Sequence, residues 1–162
     1  MCWQCDTGGT WQDYLEHVRG LVAAHGWAVV CVDGDGGHPP FAYTVGLTLR
    51  DRPELVVTGL DQCPATHLLN DVAEYVLDTA ILGPGETMRV GDGPVMEIVK
   101  VAEPTAHLPV AMEFYGKLTR ALQLVYVDVQ GHWPWCAEYI GGPGGQPVLG
   151  IRAVPPRGRH VA

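Results

Sequence analysis

The sequence has no apolar run approaching the ~20 residues that span a bilayer, so no membrane partner is expected. It also lacks an N-terminal basic stretch followed by an apolar one, so no secretory signal is expected either. Basic residues are scarce: 10 Lys and Arg stand against 18 Asp and Glu, a formal net charge of −8. They do not cluster until Arg152, Arg157 and Arg159, which read as part of a solvated tail over 152–162. An acidic chain repels phosphate backbones, which argues against nucleic-acid partners. The cysteines number only five, an odd count that suits a full disulfide framework poorly. With no export signal, the chain is expected in the cytoplasm, where thiols stay reduced. No internal repeat, domain linker or βαβ rhythm is found.

What is present suits one domain over residues 1–162. Hydrophobic residues make up 47% of the chain and charged ones 17%, enough to bury a core. The 21 Gly and 13 Pro favour short elements joined by turns. Residues 1–9 form an N-terminal arm. Thr10 followed by Asp13 has the spacing of a capping box, and Leu15, Val18, Leu21 and Val22 repeat at helical period. A helix over 11–25 is predicted, closed by Gly26. Apolar runs at 27–33, 41–47 and 54–60 then read as an antiparallel meander. The first two are joined by the turn Gly34–Pro40, in which Asp33 and Asp35 are turn residues, as Asp92 is later. Asp61 is placed to cap a second helix whose apolar face carries Leu68, Leu69, Val72, Ala73, Val76 and Leu77, and which Gly83-Pro84-Gly85 stops. Strands are predicted at 86–90, 95–102 and 121–129, with a short helix at 109–118. From Gly131 to Ile151 the chain should be ordered but irregular. The fold class is α+β: an antiparallel sheet, or a small split-barrel-like β-structure, covered by two or three helices.

The most suggestive chemistry is the C-x-x-C of Cys2 and Cys5. Two thiolates at that spacing can reach one tetrahedral zinc, which then needs two more ligands. Cys63 and His67 supply them most naturally, since i and i+4 positions share a helix face. His132 and Cys136 have the same spacing and are the alternative pair. Redox chemistry at the C-x-x-C is a second reading, although the motif opens the chain rather than following a strand. A third is that both cysteines are simply small residues of the arm. Removal of Met1 would make Cys2 an N-terminal nucleophile or chelator. Cys63, in the first turn of the second helix, could also pair with His67 as a nucleophile and its base. Asp128, His132, Trp133 and Trp135 have the composition of a small-molecule pocket, which Tyr43 and Thr44 could share. The same tryptophans would equally close the end of a core.

Six segments carry a family resemblance: Met1-Cys-Trp-Gln-Cys-Asp6, His25-Gly-Trp27, Pro40-Phe-Ala-Tyr-Thr-Val-Gly-Leu47, Pro53-Glu-Leu-Val-Val-Thr-Gly-Leu60, Trp133-Pro-Trp135 and Gln146-Pro-Val-Leu-Gly150. In this order, over roughly 1–150, they resemble the bacterial family of domain of unknown function 4262 (DUF4262). That resemblance implies no activity. Members often carry Asp after the Trp-Pro-Trp stretch, where this chain has Cys136. The Thr-Val-Gly-Leu and Pro-Glu-Leu-Val-Val strands are also similar to the start of flavin-binding split barrels, a likeness of fold alone. Three functions follow. The first is a small zinc-binding protein using Cys2, Cys5, Cys63 and His67. The second is an oxidoreductase-like barrel holding a flavin or similar cofactor. The third is a non-enzymatic module that binds a partner protein. Whether the chain is an enzyme stays open.

Overall fold

A computed structural model of the chain describes residues 8–79 and 81–153. Helix α1 spans Trp11–His25, as the capping signal predicts. Thr10 Oγ1 accepts the Asp13 N–H at 3.2 Å, and an Asp13 carboxylate oxygen accepts the Thr10 N–H at 2.7 Å. Two of the helix's orphan donors are thereby satisfied. Gly26 ends it at φ 91°, its N–H bonded to the Val22 carbonyl. Leu15 and Val18 form its buried stripe.

Two antiparallel turns follow, through β1 (Ala28–Val32), β2 (Phe41–Val45) and β3 (Glu54–Thr58). Helix α2 (Gln62–Asp78) returns across the sheet, and β4 (Thr87–Met88) and β5 (Met96–Lys100) form its far edge. Two short helices, α3 (Pro104–His107) and α4 (Pro109–Tyr115), precede the last strand, β6 (Ala121–Tyr126). The strand order is β1-β2-β3-β6-β5-β4. Every neighbouring pair is antiparallel except β3 and β6, which run parallel with Glu54 opposite Ala121.

The open sheet has a core on each face. Ala65, Leu69, Val72 and Ala73 of α2 pack over Leu55, Val57, Ile98 and Leu124. On the other face α1 and α4 cover Val30, Tyr43, Val45 and Val56. Beyond them, 146–150 runs over the β6 side, with Val101 bridged to Gly150.

The α+β expectation holds, in its open-sheet form rather than as a barrel. The parallel β3–β6 pair is a departure from the antiparallel expectation. Both strands are buried on both faces, and such runs carry no sign of which strand lies beside them. Helix α2 ends at Asp78, before the Gly-Pro-Gly signal, and Asp61 stands at its N-cap without a side-chain cap bond. Strand β6 stops at Tyr126 rather than 129. Helix α3, with Pro104 in its first turn, was not anticipated from periodicity.

One buried carboxylate organises the Ala28 end of the sheet. Glu54 is fully buried and accepts hydrogen bonds from the Thr44 and Thr48 hydroxyls and from the N–H groups of Gly46, Leu47 and Thr48. It thereby ties β2 and β3 to the 3₁₀ turn at Leu47–Arg50. Gly46 is required there: its φ is 130°, and a Cβ would lie 2.7 Å from the Gly26 carbonyl oxygen.

Candidate functional site

Strand direction decides which side chains can meet. Val32 pairs with Phe41, and Phe41 with Thr58, so β1 ends, β2 begins and β3 ends at one edge of the sheet. Strand β6 is parallel to β3 and ends there too. The first turn of α2 follows β3 at that edge, and the segment after Tyr126 leaves from it. Helix α1 enters β1 through Gly26 and Trp27 and packs on it, so its start points toward the same edge. The beginnings of α1 and α2 and the irregular C-terminal segment are therefore gathered at one end of the fold.

Cys63 and His67 both lie exposed on α2, one turn apart. Beside them the Thr66 hydroxyl donates to the Gln62 carbonyl at 2.8 Å, and the Cys31 thiol lies 3.5 Å from the Thr66 oxygen, which seats this turn on β1. Cys2 and Cys5 lie outside the described residues. Among the described residues no three His, Cys, Asp or Glu side chains converge as a metal-ligating group.

Asp128, His132, Trp133, Trp135 and Cys136 share the segment after β6. Asp128 has a side chain only 6% exposed and accepts the backbone N–H groups of Gln130, His132 and Ile140. Desolvation pushes its carboxyl up, but these donors and the nearby His132 ring outweigh it and hold the pKa below the ordinary value. Asp128 Oδ2 lies 3.5 Å from His132 Nδ1, too far for a good hydrogen bond, and Nδ1 has no hydrogen-bond partner among the described residues. Trp133 and Trp135 stack with centroids 5.1 Å apart and planes 7° from parallel.

Arg152 completes this stack, with its Cζ 3.6 Å from the Trp135 ring centroid. Its guanidinium is also bidentate on Glu97 of β5, at 2.9 and 2.8 Å. The reading of Arg152 as the start of a solvated tail is therefore corrected, because an acid and an aromatic face both hold it. Arg157 and Arg159 lie outside the described residues. Neither Glu97 nor Arg152 carried a sequence signal, since nothing in their local pattern announces a partner 55 residues away.

Tyr43 and Thr44 do not join the tryptophans. Both are fully buried: the Tyr43 hydroxyl accepts the Val110 N–H, and the Thr44 hydroxyl donates to Glu54 while accepting the Leu55 N–H. As neighbours on one strand they point to opposite faces of the sheet, and a helix covers each face.

The same segment is anchored by two amides that periodicity did not reveal. Gln146 bonds the Tyr126 N–H and carbonyl through one side chain, as a neighbouring strand would, and also donates to the Tyr139 hydroxyl. Gln123 donates to Thr58 Oγ1 and the Pro147 carbonyl and accepts the Leu149 N–H. Against this fixed frame Asp128→Ala is expected to loosen only the 128–140 turn. Amide exchange should quicken at Gln130, His132 and Ile140 while β5 and β6 stay protected.

No helix among the described residues is long and apolar enough to cross a membrane. No curated protein and no solved structure matches the chain. A family match does extend from residue 21 to residue 140, more than half of the chain. It takes in β1 to β6, the Glu54 cluster and the Asp128 turn, and on it the chain belongs to the family described as Domain of unknown function (DUF4262).

Proposed function

We propose that the chain is a small metal-binding protein that holds zinc through Cys2 and Cys5 together with Cys63 and His67. The observation that carries this reading is that Cys63 and His67 stand exposed one turn apart on α2, at the end of the sheet toward which α1 begins. Cys5 is three residues before Gly8 and Cys2 six. At ~3.3–3.6 Å per residue the chain can reach about 10 and 20 Å from Gly8, and to meet α2 it must pass the β1 edge, because α1 and α2 lie on opposite faces of the sheet. Three thiolates and one imidazole make a closed tetrahedral set, which suits a structural rather than a catalytic zinc. Such a site would tie the residues before α1 to α2, and a reducing cytoplasm would keep its thiols available.

A specific observation favours His132 and Cys136 as the alternative pair. A carboxylate beside one ring nitrogen, leaving the other for metal, is the usual setting of a ligating histidine, and Asp128 stands so beside His132. A flavin or other cofactor in a barrel draws no comparable support: the sheet is open, and Tyr43 and Thr44 are fully buried with hydrogen-bond partners of their own.

Elemental analysis of the full chain, purified without chelator, tests the reading. About one zinc per chain is expected, falling below about half with Cys63→Ser or His67→Ala and unchanged with Cys136→Ser. Loss with Cys136→Ser and retention with Cys63→Ser would move the site to the alternative pair. Less than about half an equivalent of any transition metal in the native protein would overturn the proposal.

A further inference from the structure

At the opposite end of the sheet α1, α4 and the 3₁₀ turn border an open groove of about 380 Å³. That is within the range of small-molecule sites, about 300–1,000 Å³. Val22, Leu49 and Phe114 give it apolar walls. Arg19 lies at the groove with its guanidinium carbon 4.8 Å from the Phe114 ring centroid. Among the described residues Arg19 has no acidic partner, although the chain as a whole is acidic. The Tyr115 ring forms another wall, and its hydroxyl is buried without a hydrogen-bond partner among the described residues. Burial, and after it the charge of Glu54, push that phenol up to about 12. Glu113 stands on the rim.

We infer that this groove binds a small monocarboxylate with an apolar body, its carboxylate paired with Arg19 and its body against Val22, Leu49 and Phe114. A planar guanidinium held over an aromatic face is suited to bidentate carboxylate recognition. The apolar walls supply the burial that a carboxylate alone cannot. Glu113 sets the charge limit, since a second negative group on the ligand would meet a like charge at the rim. The inference is independent of the metal proposal, which concerns the other end of the fold.

Phenylacetate is a suitable probe and phenylacetamide its uncharged match. Amide NMR of the isotope-labelled full chain should show saturable phenylacetate shifts confined to residues 19–23, 47–50 and 110–116. The amide should bind about tenfold more weakly, the order of one charge-assisted pair. Arg19→Met, on an exposed helix position, should retain the native spectrum elsewhere and bind both probes alike. Absence of saturable shifts, shifts that map elsewhere, or equal binding of acid and amide by the native protein would overturn the inference.

Discussion

Glu54→Ala is expected to remove roughly 3–5 kcal/mol of stability, because it strands buried donors and leaves a cavity. The five hydrogen bonds that Glu54 accepts come from three backbone N–H groups and two hydroxyls. Alanine offers those donors nothing, and no water can reach a fully buried position without the turn opening. A loss of that size is a large share of a typical domain's 5–15 kcal/mol, so urea unfolding should register it as a marked drop in midpoint. Glu54→Gln keeps the volume but turns an amide N–H₂ toward a shell in which the three backbone N–H groups can only donate, and should fall between native and alanine. The pH dependence has a definite sign. Desolvation raises the Glu54 pKa and outweighs the donors that favour its charged form. A carboxyl whose folded pKa is raised contributes most below its ordinary value and loses that contribution as pH rises through the folded one. The gap between native protein and Glu54→Gln should therefore narrow from acid to alkaline pH.

Gln123→Leu is the second large effect, about 2–4 kcal/mol, for a change of little volume. The amide makes three bonds that hold 147–149 against β3 and β6. Leucine leaves the Leu149 N–H unpaired, while the Pro147 carbonyl keeps its 2.8 Å bond from Thr58. The segment should thus loosen without leaving the sheet altogether. Faster amide exchange at Leu149 and easier cleavage after Ile140 are expected, with α1 and α2 unchanged. Gly150, whose close approach to the Lys100 carbonyl leaves no room for a side chain, depends on the same anchoring.

The capping signals of α1 are local and act locally, whereas Asp61 makes no side-chain cap and α2 stops before its Gly-Pro-Gly signal. Thr10, Asp13 and Gly26 set the ends of α1 through contacts no more than four residues apart. The apolar face of α2 and the three-strand meander followed from period alone. Partners far apart in sequence were not legible. The parallel β3–β6 pairing depends on a connection of more than sixty residues, and the amides of Gln123 and Gln146 resemble any surface glutamine until their partners are in place. Tyr43 and Thr44 show the converse: polar atoms on a strand suggested a cavity, but a hydroxyl with buried partners of its own needs none. Of the candidate metal ligands, Cys63 and His67 stand exposed one turn apart, as their spacing predicts, and strand direction shows which end of the sheet carries them. Cys2 and Cys5 stay outside the described residues, so their part is the point to test.

X-ray absorption at the zinc edge, on full-length protein reconstituted with zinc, addresses it most directly. The account predicts a four-ligand shell of three sulfurs near ~2.3 Å and one nitrogen near ~2.0 Å, with the sulfur count falling to one when Cys2 and Cys5 are both serine. A shell of oxygen and nitrogen only, or one unchanged by that double substitution, would contradict it.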